Sequence, residues 1–261
     1  MKTVLTIAGS DSSGGAGIQA DLKTIEALGL YATTAITALT AQNTTGVFGV
    51  HNVPADFVSA QIAAVFDDIR PDAVKVGMVS SAHIAAAIAS SLASYQAPNI
   101  VVDPVMVATS GASLAENDAV AELVRLLFPQ AKVVTPNIPE ACALSGMSIE
   151  TEADQVRAAR AILELGSAFV LVKGGHGSND ANDVLVSASG DVSWYRAKRI
   201  DTPNTHGTGC TLSSAIACYL ALGCEVPEAV GKAKDYLIGA LSAGLDLGKG
   251  SGPLDHKWAR A

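Results

Sequence analysis

The sequence has little charge and no excess of basic residues. Of its 261 residues 16% are charged, and 17 Lys and Arg stand against 25 Asp and Glu, for a net charge of −8. Non-specific nucleic-acid binding needs a basic face that neutralises phosphates, so we expect no nucleic-acid partner. The hydrophobic share of 49% is too high for a disordered chain, and no linker rich in Pro, Gly or Ser divides it. One domain over residues 1–261 is therefore expected.

The chain also lacks a good export signal or membrane span. The apolar run 4–8 follows Lys2, but it is shorter than the roughly 7–15 residues of a signal core and soon meets Asp11. Residues 27–55 contain no Lys, Arg, Asp or Glu, yet threonines occur throughout them, which hydrocarbon would not accept over the ~20 residues of a span. We interpret this stretch as buried strands and expect no membrane partner.

The cysteines lack the spacing of a metal site. Cys142, Cys210, Cys218 and Cys224 form no CxxC pair and no Cys/His pattern typical of zinc. Together with the missing export signal, this favours reduced thiols and a cytoplasmic protein.

Apolar runs alternate with helical patterns along the chain. After the first run, Ile18, Leu22, Ile25 and Leu28 recur at helical spacing before Gly29. Further strands are predicted over 73–76, 100–103, 132–135 and 169–173, a hairpin over 183–187 and 192–196, and helices over 57–66, 84–95, 120–127, 156–165, 210–222 and 227–243. Such alternation predicts an α/β fold with a mostly parallel sheet covered on both faces, plus a small β-hairpin.

Polar or glycine-rich segments follow the predicted strands. They are residues 9–17, Asp103, 137–140, 173–176 and 204–211. Ligands of open parallel sheets bind beyond the carboxyl ends of the strands, so these segments predict one cleft.

Two common nucleotide-binding motifs are absent or incomplete. Residues 15–20 fit the dinucleotide pattern GxGxxA, but Gly15 comes several residues after the strand, and no acid lies between Glu26 and Asp56 to hold a ribose. The pattern GxxxxGK[ST] does not occur. A nicotinamide-dependent oxidoreductase is thus disfavoured, a bound nucleoside triphosphate needs another loop, and a non-catalytic binding protein remains an alternative.

Residues 205–211, Thr-His-Gly-Thr-Gly-Cys-Thr, lead straight into an apolar helix. Glycines at a helix start let N–H groups converge on an anion, which the helix dipole also favours; a plain turn is the alternative. At such a position Cys210 is expected to have a lowered thiol pKa, whereas the other cysteines are expected to be core residues.

Three charged residues follow predicted strands. Lys173 indicates a nearby anion or a surface lysine whose stem covers apolar surface. Asp103 suits a metal ligand or a structural hydrogen bond equally. Glu140 fits a capping pattern that begins at Asn137, and this is compatible with metal binding.

Six motifs together carry a resemblance. They are residues 8–21 (AGSDSSGGAGIQAD), 40–43 (TAQN), 103–106 (DPVM), 135–141 (TPNIPEA), 173–176 (KGGH) and 206–211 (HGTGCT). In this order, over essentially the whole chain, they resemble the hydroxymethylpyrimidine kinase/hydroxymethylpyrimidine phosphate kinase family of thiamine biosynthesis. The resemblance implies a ribokinase-like, three-layer α/β/α domain, usually dimeric, that transfers the ATP γ-phosphate to a hydroxymethyl group and then to the monophosphate.

The resemblance also implies roles for individual residues. Lys173 would neutralise ATP phosphates, and Asp103 with Glu140 would hold Mg²⁺. The transferring phosphoryl group would be held by the amides of Gly207, Thr208, Gly209 and Cys210. Most ribokinase-like enzymes have an Asp base where this chain has Cys210, so the identity of the base is open. The pyrimidine would be bound by Gly9, Asp21, Gln42, Met78 and Val105.

Gln42 carries the expected choice of substrate. Its amide offers a donor and an acceptor in one plane, which matches a ring nitrogen beside an exocyclic amine. An aminopyrimidine has that edge and pyridoxal does not, and the pyridoxal kinases that the sequence resembles tend to have an apolar residue here. A buried amide that satisfies loop backbone is the structural alternative, and a pyridoxal kinase the functional one. Met78 and Val105 would supply apolar walls for the ring.

Overall fold

The computed structural model of the chain describes residues 1–106, 117–175 and 180–258. Its strands are β1 (Thr3–Asp11), β2 (Tyr31–Asn43), β3 (Gly46–Asn52), β4 (Ala73–Val76), β5 (Ile100–Val102), β6 (Val133–Val134), β7 (Phe169–Val172), β8 (Asp183–Ser187) and β9 (Val192–Tyr195). Its helices are α1 (Gly17–Ala27), α2 (Ala55–Asp68), α3 (Ala82–Ser94), α4 (Asn117–Leu127), α5 (Ile138–Ser145), α6 (Glu152–Leu163), α7 (Thr208–Ala221) and α8 (Val226–Ala243), with a 3₁₀ turn at Phe128–Gln130.

All the strands listed above form one sheet in the order β3-β2-β1-β4-β5-β6-β7-β8-β9. Pairing from β2 through β1, β4, β5 and β6 to β7 is parallel, whereas β3 and the β8–β9 hairpin are antiparallel. β2 and β4 lie on opposite sides of β1, so the connections after β1 and after β3 run in opposite directions across the sheet. Ligands of such sheets bind where the connections diverge in this way, beyond the carboxyl ends of the strands.

Helices cover both faces of the sheet, as predicted. Alternate strand residues point to opposite faces, so Leu5 packs in a core with α2 to α6 while Val4 packs in a second core with α1, α7 and α8. The α/β/α prediction is confirmed. Within the described ranges, no helix is both long and apolar enough to cross a membrane.

Two local predictions were wrong. β1 continues to Asp11, so Gly9 belongs to the strand and not to the loop after it. The stretch 27–55 forms strands, but they are not both buried: β3 lies at the end of the sheet, where Phe48 is 70% exposed. Among the described residues, β3 makes its main contacts with β2 and no helix packs substantially on it, so its apolar side chains stay exposed.

Candidate active site

Asp103 and Lys173 meet at the carboxyl ends of β5 and β7. Lys173 Nζ lies 2.8 Å from Asp103 Oδ1, which also accepts a hydrogen bond from Thr135 Oγ1 at 3.0 Å. Burial raises the pKa of the Asp103 carboxyl, but Lys173 and Lys75 more than compensate and hold it below its usual range. With a side chain only 13% exposed, Lys173 is not a surface lysine. A partly buried lysine therefore lies at the strand ends, where an anion can reach it.

Glu140 is the third residue of α5 and completes the predicted capping pattern with Asn137. Asn137 Oδ1 accepts from the Glu140 amide at 2.9 Å, and Glu140 Oε2 accepts from the Asn137 amide at 2.8 Å. Burial raises the pKa of the Glu140 carboxyl to about 7; Lys173 lowers it and Asp103 raises it. The chain therefore holds a second buried carboxylate within electrostatic reach of Asp103.

These two carboxylates suit Mg²⁺ bound together with phosphates. Among residues 1–106, 117–175 and 180–258 no group of three or more His, Cys, Asp or Glu side chains could hold a metal. Mg²⁺ is commonly bound through one or two carboxylates, with water and substrate phosphates completing its shell. The donor set of Asp103 and Glu140 fits that mode and not a structural metal site.

The start of α7 lies beside the Asp103–Lys173 pair. Gly207 caps the helix with φ +88°, and a Cβ there would collide with the Gly15 carbonyl oxygen, so only glycine fits. At Gly209 a Cβ would lie 3.2 Å from Asp103 Oδ2 and 3.3 Å from Lys173 Nζ. The first intrahelical hydrogen bond runs from the Thr211 amide to the Gly207 carbonyl, so the amides of residues 208–210 precede the helical ladder. The predicted anion site and Lys173 are thus adjacent.

The expected lowering of the Cys210 pKa is wrong. Burial raises the pKa of the Cys210 thiol to about 11; Lys75 opposes this shift, while Asp21 and Asp103 add to it. Desolvation and two carboxylates outweigh the favourable helix start. Of the other cysteines only Cys218 is fully in the core, whereas Cys142 and Cys224 are half-buried.

The Asp11 carboxylate accepts hydrogen bonds from backbone amides of the first glycine-rich loop. Its Oδ1 accepts from the Ser13 amide at 2.8 Å, and its Oδ2 from the amides of Gly15 at 3.1 Å and Ala16 at 2.8 Å. Oδ2 also lies 2.8 Å from His206 Nε2. Burial alone would raise the pKa of Asp11, but these hydrogen bonds hold it well below its usual range. This loop already binds an anion of the chain itself.

Four of the five predicted substrate contacts lie beyond or near the strand ends. Gly9 packs so closely on Met78 that a Cβ would lie 2.9 Å from its sulfur. Val105 is half-buried two residues after Asp103. Gln42 lies near the end of β2, and its side chain is half-buried.

Asp21, expected to contact substrate, is instead fully buried. Lys75 Nζ lies 2.9 and 2.8 Å from its two oxygens, which also accept from Ser214 Oγ at 2.7 Å and Thr6 Oγ1 at 2.6 Å. Both charged side chains have no exposed surface. The pair ties α1 to β4, β1 and α7 behind the cleft, so its placement gives Asp21 a structural role.

Sequence reasoning missed several residues of the site. Lys75 interrupts an apolar strand, and that lone charge was a usable signal. His206 and Thr135 stood inside quoted motifs without an assigned role. His176, part of the motif after β7, lies outside the described residues.

Comparisons with known proteins agree with this geometry. The family model described as phosphomethylpyrimidine kinase matches residues 11–255. A hydroxymethylpyrimidine/phosphomethylpyrimidine kinase of Streptomyces coelicolor is 50% identical over 256 residues, covering 98% of this chain and 94% of the relative. The structure of a phosphomethylpyrimidine kinase from Clostridium difficile is similar with 48% identity and TM-score 0.82 over 91% of this chain and 98% of that chain. A pyridoxal kinase of Bacillus subtilis is similar with 39% identity and TM-score 0.92 over 100% and 99% of the two chains.

Proposed function

The chain belongs to the phosphomethylpyrimidine kinase family, and from this premise we propose that it phosphorylates 4-amino-5-hydroxymethyl-2-methylpyrimidine and then its monophosphate with ATP, in thiamine diphosphate biosynthesis. Membership makes the chain a phosphotransferase with a ribokinase-like fold. The observation that carries the proposal is the meeting of the α7 start with Lys173, which puts the first amides of a helix and a partly buried ammonium at one point.

Phosphoryl transfer asks an enzyme mainly for positioning and charge neutralisation. In the proposed mechanism, the amides of residues 207–210 hold the transferring phosphoryl group, and Thr208 begins the helix that aims them. Lys173 pairs with phosphate oxygens and is itself held by Asp103, 2.8 Å away. The acceptor hydroxymethyl group attacks from the side of Gly9, Gln42, Met78 and Val105.

Asp103 and Glu140 would hold the Mg²⁺ ion that accompanies ATP. When bound, this ion neutralises charge on the phosphate oxygens. Glu140 would bind it as a carboxylate, and a cation nearby favours that ionised form.

Cys210 is proposed to assist removal of the acceptor proton. A pKa of about 11 leaves the thiol protonated at neutral pH, so the thiolate has to be favoured when the substrates bind. A cation on Asp103 would offset one of the carboxylates that raise this pKa.

A homodimer is proposed on the strength of β3. Phe48 and Val50 are 70% and 45% exposed on this end strand, and Leu39 of β2 is 47% exposed. Exposed apolar end strands are typical of interfaces. Sedimentation should give a dimer for the parent and a monomer for Phe48→Asp. Localisation in the cytoplasm stays a prediction.

A coupled assay with ATP tests the substrate. We expect turnover with the aminopyrimidine and with its monophosphate, and weaker turnover with pyridoxal. Gln42→Met should cost a few kcal/mol in kcat/KM for the aminopyrimidine, because a site built for a paired polar contact loses it. The KM for ATP should stay unchanged.

Pyridoxal phosphorylation is the second candidate, and the high similarity to a pyridoxal kinase of Bacillus subtilis favours it. A parent enzyme that prefers pyridoxal would select this candidate. An enzyme that transfers phosphate to neither acceptor would reject both.

A further inference from the structure

Two buried charged residues near the end of β7 take no part in the proposed mechanism. Lys234 of α8 and Asp183, the first residue of β8, form an ion pair in which Lys234 Nζ lies 2.6 Å from Asp183 Oδ2. Their side chains are only 9% and 4% exposed. Because burying two charges costs desolvation, such a pair often adds no net stability. The other contacts of the pair indicate what it holds in place.

The second oxygen of Asp183 binds the backbone directly after Lys173. Asp183 Oδ1 accepts from the Gly174 amide at 2.8 Å, in a buried contact. The last pair of the β7–β8 ladder is Val172 with Val184, so the Asp183 side chain extends the contact between the two strands beyond their backbone ladder. Within the sheet, backbone groups make these bonds, and here a side chain replaces them.

The peptide group before Lys173 is held as well. The Lys173 amide donates to the Pro136 carbonyl at 2.8 Å, and the Val172 carbonyl accepts from Gln155 Nε2 at 2.9 Å. With the Gly174 amide also bound, hydrogen bonds fix both peptide groups that flank the Lys173 Cα atom. Because each peptide group is planar, fixing both restrains the two backbone dihedrals of Lys173 and so the direction in which its side chain leaves the chain.

The Lys173 side chain depends on this fixed origin. From it, Nζ lies 2.8 Å from Asp103 Oδ1 and would lie 3.3 Å from a Cβ at Gly209, at the start of α7. A lysine stem is flexible and binds phosphate as a point charge, without the fork that orients an arginine. Misplacing a group that contacts substrate by about 1 Å can cost about 10²-fold in rate. The anchor of the Lys173 backbone therefore bears on the rate.

We infer that Asp183 is a positioning residue for phosphoryl transfer, because it fixes the backbone from which Lys173 reaches the phosphates of ATP. Lys234 keeps the Asp183 carboxylate in place: it binds Oδ2 and also donates to the Ala181 carbonyl at 2.6 Å, just before β8. The inference rests on the proposed function and deepens it, since it adds α8 and β8 to the elements that build the phosphate site. In this role neither side chain contacts ATP, and both act through Lys173.

Two double variants without the buried charges test this role. Removing one partner alone would leave an uncompensated buried charge, which disturbs folding whatever the pair does for catalysis. The acceptor variant, Asp183→Asn with Lys234→Met, removes both charges but keeps an oxygen for the Gly174 amide. The acceptor-free variant, Asp183→Leu with Lys234→Met, also removes both charges and has a side chain of the same branching that accepts no hydrogen bond.

The acceptor variant should keep kcat/KM for ATP within about threefold of the parent, and the acceptor-free variant should lose about tenfold or more. Asp183→Ala with Lys234→Met repeats the acceptor-free test with a smaller side chain and should lose as much. Hydrogen exchange adds a readout independent of turnover. The Gly174 amide should exchange at least about tenfold faster in the acceptor-free variant than in the acceptor variant.

A third substitution and a matched control separate positioning from general damage. In a Lys173→Met background, the acceptor and acceptor-free variants should have equal kcat/KM, because the difference between them acts through a lysine that is no longer present. Lys232 lies on the same helix but pairs with Glu228 on the surface, at 2.7 Å. Lys232→Met should leave kcat/KM for ATP within about twofold of the parent.

Each outcome decides between the two proposals. A parent that transfers phosphate from ATP to no acceptor rejects the proposed function and the inference with it. An active parent whose acceptor and acceptor-free variants have equal kcat/KM keeps the function and overturns the inference. The inference is also overturned if the difference between the two variants persists in full in the Lys173→Met background, or if the Gly174 amide exchanges equally fast in both.

Discussion

The two glycine-rich segments of this chain gather backbone amides in similar ways but use them differently. In residues 9–17 the amides of Ser13, Gly15 and Ala16 converge on Asp11, an anion that the chain itself supplies. At Gly207 the helix begins without a side-chain cap and without an acidic residue in its first turn. The first segment is closed and the second is open. A glycine-rich sequence thus indicates converging amides, while the nearby side chains decide whether a ligand can use them.

The largest loss of activity is expected from a substitution that fills the space between Gly15 and Gly207. Gly207→Ala would drive a methyl group into the Gly15 carbonyl oxygen at φ +88° and displace the start of α7. Nearly all kinase activity should be lost. The matched control is Gly14→Ala, also at positive φ, where the new methyl group meets only the end of Lys23 at 3.4 Å. It should cost about 1 kcal/mol in unfolding free energy and little activity. Equal losses of activity in both variants would contradict the comparison.

The next largest effect is expected from Cys210, and it distinguishes the contribution of the thiol to the rate from that of the backbone amides at the α7 start. Cys210→Ser should fold and bind ATP, and kcat should fall by about 10²- to 10⁴-fold if the thiol is a general base. Since the thiol pKa is raised to about 11, a thiolate requirement also predicts a parent kcat that rises between pH 7 and pH 9. Activity within about twofold of the parent would reject the base and leave the amides as the main contribution.

A smaller effect is expected from the carboxylate beside the open segment. Glu140→Gln should raise the Mg²⁺ concentration needed for half-maximal rate and lower kcat by about tenfold, because one hard oxygen ligand loses its charge. Chelation should abolish turnover of the parent. A titration of rate against Mg²⁺ checks both statements, and an unchanged Mg²⁺ dependence would mean that Glu140 only caps α5.

The smallest effect is expected from Asp11, the anion held by the amides of residues 9–17, and it is an effect on stability. The pKa of Asp11 is lowered in the folded chain from about 3.8, so its contribution is present above pH 4 and is lost as the pH falls below that value. Asp11→Asn should lower the free energy of unfolding by about 2 kcal/mol at pH 7. The difference from the parent should shrink by pH 3. Urea unfolding at both pH values measures this, and a constant difference would count against the internal anion.

Local patterns in the sequence predicted much of this molecule, and long-range contacts account for the rest. Alternating apolar runs predicted the sheet and both helical layers, and Asn137 with Glu140 predicted a cap that four consecutive residues complete. Parallel strands bring their carboxyl ends together, so Asp103 and Lys173 could be expected to meet. The His206–Asp11 contact joins residues 195 positions apart, and no local pattern indicates it. The pKa of Cys210 was mispredicted for the same reason, because tertiary packing sets its burial.

The buried Asp21–Lys75 pair restricts how this sequence can diverge. Removing one partner leaves an uncompensated charge in a dry interior, at a cost of about 3–5 kcal/mol, whereas replacing both with apolar residues of similar volume is often neutral. Replacing either residue alone would therefore give a poorly folded protein, whichever of the two changes first. Among distant descendants of this chain, residues 21 and 75 should have changed together or not at all. Because no substrate contacts this buried pair, its changes would trace ancestry independently of changes in function.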